Sequence, residues 1–322
     1  MIAFVTGGTG FIGSHLVDFL HTQGVTEVRC LVRKDEKWLR GRTYTPVKGD
    51  LHDLEALKKG LQGADTLFHL AGAVKAAHLP AFIRENVEGT ENVIRVALKS
   101  GIKRIVVLSS LAAAGPSEGK PLHEGDICRP VSSYGQSKLK MEEALAAIPF
   151  EGIQAAIIRP PAVYGPREEN ILPVFKLMNK GICPVVGDSS NRVSMIYVKD
   201  LVEGLWNAAN RTPEGLNTYF MADLMPYSWA DVASVAGSVV GRKVRTIPIP
   251  PEIVVGAGSI FDRAGKLFGK KPFFDKEKAA EITAEWMCSS EKAARMLQFQ
   301  PKYSLARGFQ ETIQWYSVHH WL

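Results

Sequence analysis

Thr6-Gly7-Gly8-Thr9-Gly10-Phe11-Ile12-Gly13 (TGGTGFIG) is the stretch that decides how the rest of the chain reads. The apolar run Ile2–Thr6 leads into it and predicts a short strand. Phe11 to Phe19 follows, with Ile12, Leu16 and Phe19 on one face and Leu20 beside them, which predicts a helix. A strand, a glycine turn and a helix in that order are the context in which such a turn cradles a dinucleotide. Gly8, Gly10 and Gly13 satisfy the G-x-G-x-x-G spacing, and Gly7, Gly10 and Gly13 also fit G-x-x-G-x-x-G. Glycine is needed for the tight turn, for close approach of backbone to a pyrophosphate, and for close packing of helix on strand. The pyrophosphate then meets free N–H groups and the positive end of the helix dipole.

Outward from this turn, strand-like and helix-like segments alternate. Val25–Val32, Tyr44–Lys48, Thr66–Leu70, Ile102–Leu108 and Ile153–Arg159 read as further strands. A helix ends near Gly60, and Ala81–Lys99 reads as a long helix stopped by Gly101. This rhythm predicts an α/β fold with a doubly wound parallel sheet, helices on both faces and ligands beyond the carboxyl ends of the strands. After about Pro160 the rhythm changes, with runs such as Ile247-Pro248-Ile249-Pro250-Pro251 and isolated strand signals such as Met195–Val198. The expected division is a dinucleotide-binding domain over 1–165 and a smaller substrate-binding region over 166–322, with strands at about 192–200 returning to the first core.

Bulk composition narrows the class. Hydrophobic residues are 46% and charged residues 22%, as in a water-soluble globular protein. The net charge is +6, but the cations are scattered and not interleaved with aromatics, which argues against nucleic acid and suits an anionic cofactor. Cys30, Cys128, Cys183 and Cys288 are far apart and form no metal-ligand cluster, so they read as reduced thiols of a cytoplasmic protein, with no metal expected. The N-terminus lacks the basic leader and apolar length of a signal peptide, and no apolar stretch is long enough to span a bilayer.

Cys30-Leu31-Val32-Arg33-Lys34 ends the second strand, where a carboxylate would bind ribose hydroxyls and an arginine a 2′-phosphate. Val32 stands where the carboxylate is expected and two cations follow, so Arg33 points to NADP(H), with NAD(H) open through Asp35 or Glu36. Asp50, in Gly49-Asp50-Leu51, reads as an acceptor for the adenine amino group or as a complement to a helix dipole.

Two Y-x-x-x-K matches occur, Tyr44–Lys48 and Tyr134–Lys138. In a strand residues four apart are roughly 13 Å apart, whereas on a helix their Cβ atoms lie about 5–6 Å apart. The first match contains Pro46 in a strand-like run; the second opens the helical segment Tyr134–Ala147. A free phenol titrates at about 10, so giving or taking its proton near neutrality requires about 4 kcal/mol of help. The Lys138 ammonium can supply part of it, which makes Tyr134 a candidate general acid/base. Ser110, at the end of the fifth strand, could hold the same substrate oxygen, with Ser109 as the alternative.

TGGTGFIG at 6–13, GDL at 49–51, HLAG at 69–72, NVEGT at 86–90, LSS at 108–110, YGQSK at 134–138 and RPPAVYGP at 159–166 occur in that order. Together with KAARMLQFQPKYSLARGFQETIQWY at 292–316, they resemble the extended short-chain dehydrogenases/reductases, a Rossmann-fold superfamily, over nearly the whole chain. The resemblance implies Ser110, Tyr134 and Lys138 as catalytic residues, with Lys138 also bonding the nicotinamide ribose. It implies a cofactor site from Gly7, Gly10, Phe11, Ile12 and Gly13, then Arg33, Asp50, Leu51, Leu70 and Ala71, and then Lys138, Pro161 and Val163. Ala112, Tyr164 and Arg192 are candidate substrate contacts. Asn86 and Thr90, one turn apart, read either as neighbours of the cofactor or as a polar stripe facing a second copy. A homodimer through the Ala81–Lys99 and Tyr134–Ala147 helices is the family expectation.

Within this superfamily the reaction is legible by departures. Leu111 and Ala112 follow Ser110, where dehydratases carry an acidic residue. Ala162 replaces the asparagine that precedes the VYGP-like element of many sugar-nucleotide enzymes, and Val193 stands where those place an arginine, with Arg192 one step off. Ala112-Ala113-Ala114-Gly115 replaces the tyrosine-bearing turn of many epimerases. The chain is therefore more similar to the 3β-hydroxysteroid dehydrogenase and dihydroflavonol reductase branch, which implies interconversion of a secondary alcohol and a ketone on a small apolar substrate. A nucleotide-sugar epimerase and a non-catalytic NADP(H) sensor are the alternatives. Residues 251–274 carry Ile253, Val254, Val255, Ile260, Phe261, Leu267 and Phe268, then Lys270 and Lys271, and read as a glycine-containing lid over the substrate or as a membrane-surface helix.

Overall fold

Short apolar runs separated by amphipathic helices can hide both faces of each strand only in a parallel sheet clad on both sides. The computed structural model, which describes residues 1–267 and 274–322, has this form. Its first half runs β1 (Ile2–Thr6), α1 (Phe11–Thr22), β2 (Glu27–Val32), β3 (Thr45–Lys48), α2 (Leu54–Leu61), β4 (Thr66–His69), α3 (Leu79–Ile83), α4 (Gly89–Lys99), β5 (Arg104–Leu108), α5 (Leu111–Ala114), α6 (Ser133–Ala146) and β6 (Gln154–Arg159). Then come β7 (Ala162–Tyr164), α7 (Leu172–Asn179), β8 (Ile182–Val186), β9 (Arg192–Val193), β10 (Met195–Tyr197), α8 (Val198–Arg211), β11 (Gly215–Phe220), β12 (Tyr227–Ser228), α9 (Trp229–Val240) and β13 (Arg245–Ile249). The chain closes with α10 (Pro251–Leu267), α11 (Lys276–Thr283), α12 (Glu291–Leu297) and α13 (Leu305–Val318).

The main sheet has seven strands in the order β3-β2-β1-β4-β5-β6-β11, all parallel. Strand order reverses between β1 and β4, which opens a crevice at the carboxyl ends of those strands. The period of two along β1 divides its side chains between two cores. Ala3 and Val5 join Leu16, Leu20, Leu201 and Leu205 of α1 and α8, while Phe4 joins Leu57, Val93 and Met141 of α2, α4 and α6.

The second region differs from expectation in where it meets the sheet. Residues 192–200 do not return to it as strands: β10 pairs with β7 in a separate ladder, and α8 begins at Val198 and packs on β5 and β6. The strand that extends the main sheet is β11, paired with β6. Its sequence, GLNTYF, lacks the apolar run by which the earlier strands announce themselves. The expected uninterrupted helix Ala81–Lys99 instead begins at Leu79 and passes through a π-helical turn at Arg84–Glu88. That wider turn accompanies an inward placement of Asn86, which is fully buried.

The α10 segment is one continuous helix despite its glycines. At Gly258 an added Cβ would lie 2.7 Å from Ala279 Cβ and 2.9 Å from the Asp275 carbonyl oxygen, so glycine is what lets α10 and α11 cross closely. A lid over the substrate would be expected to turn apolar side chains of α10 inward. Val254 is buried, but Ile253, Val255, Ile260 and Phe261 face solvent. Phe268, Gly269, Lys270 and Lys271 lie outside the described residues. Among the described residues, no helix is long and apolar enough to cross a membrane. All four cysteines are free thiols.

Helix α2 packs on β1 through Gly60, where an added Cβ would lie 2.3 Å from the buried Phe4 ring. Overpacking of this kind costs about 1–3 kcal/mol, against a helix-propensity gain of up to about 1 kcal/mol from replacing glycine. Gly60→Ala is expected to lower the thermal midpoint, measured by circular dichroism; an unchanged or raised midpoint would contradict this packing.

Candidate active site

The glycine turn is built by close approaches that no side chain could share. Gly7 has φ +75°, and a Cβ on it would lie 2.6 Å from the Ala71 nitrogen. A Cβ on Gly13 would lie 2.1 Å from the Gly7 carbonyl oxygen. These contacts bring the turn against Leu70 and Ala71, just beyond β4. Helix α1 starts at Phe11 with no side chain capping its first turn, so its N–H groups are available to an anion. Turn, bare helix end and crevice together fit the pyrophosphate of a dinucleotide, held by Gly7, Gly10, Phe11, Ile12 and Gly13.

A buried hydrogen-bonded chain runs from this turn to α6. Thr6 Oγ1 accepts from the Ala71 N–H at 3.3 Å and lies 2.7 Å from His69 Nδ1. His69 Nε2 is 2.8 Å from Thr90 Oγ1, which donates to the Asn86 carbonyl at 2.7 Å. Burial, followed by the Lys138 ammonium, pushes the His69 pKa down to about 3, so the imidazole is neutral. Because Thr90 has spent its proton on Asn86, His69 donates from Nε2 and accepts at Nδ1 from Thr6. Asn86 accepts from the Ala73 N–H at 2.7 Å and donates to Ala73 O at 3.1 Å and Ser137 Oγ at 2.9 Å. Ser137 in turn donates to the Tyr134 carbonyl at 2.7 Å. Asn86 and Thr90 are therefore interior links and not a stripe facing outward.

Helix α6 carries the candidate pair. Ser132 caps it by accepting from the Gly135 N–H at 3.2 Å. Gly135 lets its first turn close on α5, since a Cβ there would lie 2.3 Å from the Ala112 carbonyl oxygen. Ser110 hydrogen-bonds the Tyr134 phenol and also caps α5, accepting from the Ala112 N–H at 3.1 Å. Phe82 flanks the phenol, with ring centroids 6.0 Å apart. Burial pushes the Tyr134 pKa up to about 12; the Ser110 hydrogen bond opposes this and the Glu281 carboxylate adds to it. At neutral pH the phenol therefore holds its proton.

Lys138, one turn on, is buried and donates to the Leu108 carbonyl at 2.8 Å. Burial brings its pKa down to about 8, with the Glu142 carboxylate opposing. Gly72 leaves room for the ammonium, because a Cβ there would lie 3.3 Å from Lys138 Nζ. Glu142 forms a buried ion pair with Arg159, with its two oxygens each 3.0 Å from Arg159 Nε and a shorter bond to Nη2. Ser109 also donates to Glu142. This separates the two serines: Ser109 is tied into the interior, and Ser110 reaches the phenol.

The other expected residues fall as follows. Arg33 is exposed just past β2, with Lys34 beside it. Asp35 is engaged locally, accepting from the Lys37 N–H at 3.0 Å and lying 3.6 Å from Arg40. Asp50 is exposed past β3 and accepts from the His52 N–H at 2.8 Å, while the cap of α2 is Asp53. Leu51 turns its side chain into the core, against Gly89. Pro161 and Val163 are half-buried on the segment leaving β6. Ala112 is half-buried on α5, and Arg192 is exposed on β9, which pairs with β12.

Tyr164 requires correction as a substrate contact. It is wholly buried between Tyr197 and Phe309, and its hydroxyl lies where a Cβ on Gly308 would come within 2.5 Å. Sequence reasoning also passed over His69, Glu142, Arg159 and Phe82. Glu142 could have been found, being one turn beyond Lys138 on the same face. Glu277 and Glu281 of α11 had no local signal: Ser133 Oγ donates to Glu277 at 2.5 Å across 144 residues of chain.

Comparisons with known proteins show the family and the fold. A family profile described as "NAD dependent epimerase/dehydratase family" matches residues 3–219. A ceramide reductase of Caulobacter vibrioides is 35% identical, covering 100% of this chain and 96% of its own. A 4-hydroxy-2-methyl-3-oxo-4-farnesyl-3,4-dihydroquinoline-1-oxide ketoreductase of Stigmatella aurantiaca is 31% identical over 78% of this chain and 76% of its own. Among solved structures, gox2253 superposes with a TM-score of 0.83 at 25% identity, covering 100% of this chain and 99% of that one.

An ammonium with a pKa of about 8 is charged below that pH and loses its charge as pH rises through it. The alkaline limb of kcat/KM is therefore expected near pH 8. Glu142→Gln removes the charge that favours the ammonium and should move this limb to lower pH. Ser110→Ala should leave the limb in place while lowering kcat by about 100-fold or more, the usual loss for one oxyanion donor. A limb unmoved in Glu142→Gln would refute the electrostatic link.

Proposed function

The chain belongs to the NAD dependent epimerase/dehydratase family and is an NAD(P)-dependent extended short-chain dehydrogenase/reductase; on that footing we propose that it reduces a ketone on an apolar-tailed substrate with NADP(H). The observation that carries this reading is the protonated Tyr134 phenol, held by Ser110 at the carboxyl edge of the sheet, with the buried Lys138 one helical turn on, donating to the Leu108 carbonyl. When bound, the nicotinamide supplies the hydride. Tyr134 Oη gives its proton to the substrate oxygen, which becomes the hydroxyl of a secondary alcohol. Ser110 Oγ donates to the same oxygen and steadies the charge that develops there. Lys138, charged below about pH 8, stabilises the phenolate left behind and allows Tyr134 to be reprotonated from solvent.

Support for an apolar substrate comes from Ala112, half-buried two residues past Ser110, which offers no charged partner to a diphosphate, while Leu111, Ala113 and Ala114 turn into the core. The two relatives described above carry a ceramide and a farnesyl group in their names, which fits the same reading. The preference for NADP(H) rests on Arg33 and Lys34, exposed at the end of β2 with the nearest carboxylate, Asp35, engaged elsewhere. A homodimer through α3, α4 and α6 belongs to the same proposal.

Two substitutions test this. Tyr134→Phe is expected to lower turnover of a ketone by orders of magnitude while NADPH affinity, measured by fluorescence titration, hardly changes; unchanged turnover would reject the acid role. A charge-assisted hydrogen bond is worth about 1.5–3 kcal/mol. Arg33→Ala should therefore weaken NADPH relative to NADH by about tenfold or more, and an unchanged ratio would reject the phosphate contact.

A further inference from the structure

We propose that the mouth of the active site docks on a phospholipid bilayer, so that the substrate passes from the membrane to Tyr134 without crossing water. The inference rests on the reading of an apolar-tailed ketone given above. Seven large apolar side chains are more than 60% exposed among the described residues, and six of them, Val74, Ile127, Leu224, Met225, Ile253 and Ile260, belong to segments around one edge of the molecule; only Val318 lies elsewhere.

Topology places these segments together. Val74 follows β4, and Leu224 and Met225 follow β11, at the carboxyl ends of parallel strands. Ile127 lies between α5 and α6, on a connection whose Glu124 accepts from the Phe220 N–H at 2.9 Å, at the carboxyl end of β11. Ile253 and Ile260 are on α10, which packs on α11. Helix α11 is fastened to the start of α6 by the Ser133–Glu277 bond, and its Glu281 acts on Tyr134. Exposed apolar tips thus stand on segments that follow the carboxyl ends of β4 and β11, on the connection into α6 and on the helix packed against α11.

Single exposed apolar residues are ordinary, but this concentration at one functional edge is not. The tips come from four separate segments, a form suited to penetrating a soft interface more than to matching a flat partner. On α10, Ile253, Ile260 and Phe261 are spaced to share one helical face, as on a helix lying in a bilayer surface. Lys75, Lys120 and Arg263 are exposed on the same segments and can meet lipid phosphates, though Glu118, Asp126 and Glu252 are exposed there too, so the apolar tips and not net charge carry the contact. With no membrane-crossing helix among the described residues, contact through this edge would be peripheral.

The test is flotation of the full chain with vesicles of phosphatidylcholine and phosphatidylglycerol, in parallel with reduction of a short water-soluble ketone. Wild type is expected to float. Ile127→Asp combined with Ile260→Asp, on two different segments and both facing solvent, should lower the bound fraction at least tenfold while leaving soluble-ketone turnover and the thermal midpoint unchanged. Wild type that stays in solution, or a variant that floats equally well, would overturn the proposal. So would a stable dimer that the paired substitution dissociates without affecting flotation, since the tips would then face a second copy. Flotation without reduction of any ketone would retain the docking surface and reject the reductase reading; reduction without flotation would do the reverse.

Discussion

The buried ion pair between Glu142 and Arg159 is the contact on which the arrangement of the site depends. Arg159 closes β6, Glu142 sits one turn past Lys138 on α6, and Ser109 at the end of β5 donates to the same carboxylate. Three elements are thereby held at one point, and Ser110 and Tyr134 are fixed relative to each other on either side of it. Such a pair earns little net stability against an apolar replacement, because desolvation offsets the attraction. Removing one partner costs much more, about 3–5 kcal/mol, since a lone charge is left in the interior. The pair therefore specifies where α6 lies more than it strengthens the fold.

A second constraint acts from the opposite side of the crevice. The chain Thr6–His69–Thr90–Asn86 continues through Ser137 to the Tyr134 carbonyl, so the turn that fits the cofactor and the helix that carries the phenol share one set of buried hydrogen bonds. Every donor in it has an acceptor, which is what a buried polar chain requires if it is to rigidify. Depressing the His69 pKa to about 3 keeps charge out of this path. Lys138, one turn from Tyr134 on α6, is poised between burial, which disfavours its charge, and Glu142, which favours it.

The second region adds few polar groups to this centre. It contributes β11 to the sheet, an interior formed by Tyr164, Tyr197 and Phe309, and the α10–α11 pair over the start of α6. The residues proposed for the chemistry thus lie in the first half of the chain. The crevice itself is set by strands of the first half, where the order reverses between β1 and β4.

The sequence alone determined the parallel α/β fold, the glycine turn and the placing of Tyr134–Lys138 on a helix and of Thr45–Lys48 on a strand, because each depends on short-range periodicity or on backbone room that only glycine leaves. It favoured Ser110 with Ser109 as the alternative, since adjacent residues on a strand end differ only in which way each points. It misread Tyr164, because an aromatic next to a site motif looks the same in sequence whether it faces substrate or core. It had no view of β11, whose apolar pattern is weak, or of Glu277 and Glu281, which reach α6 from the far end of the chain. Those placements were decided by tertiary packing, where burial and long-range hydrogen bonds select one partner among many that local sequence allows.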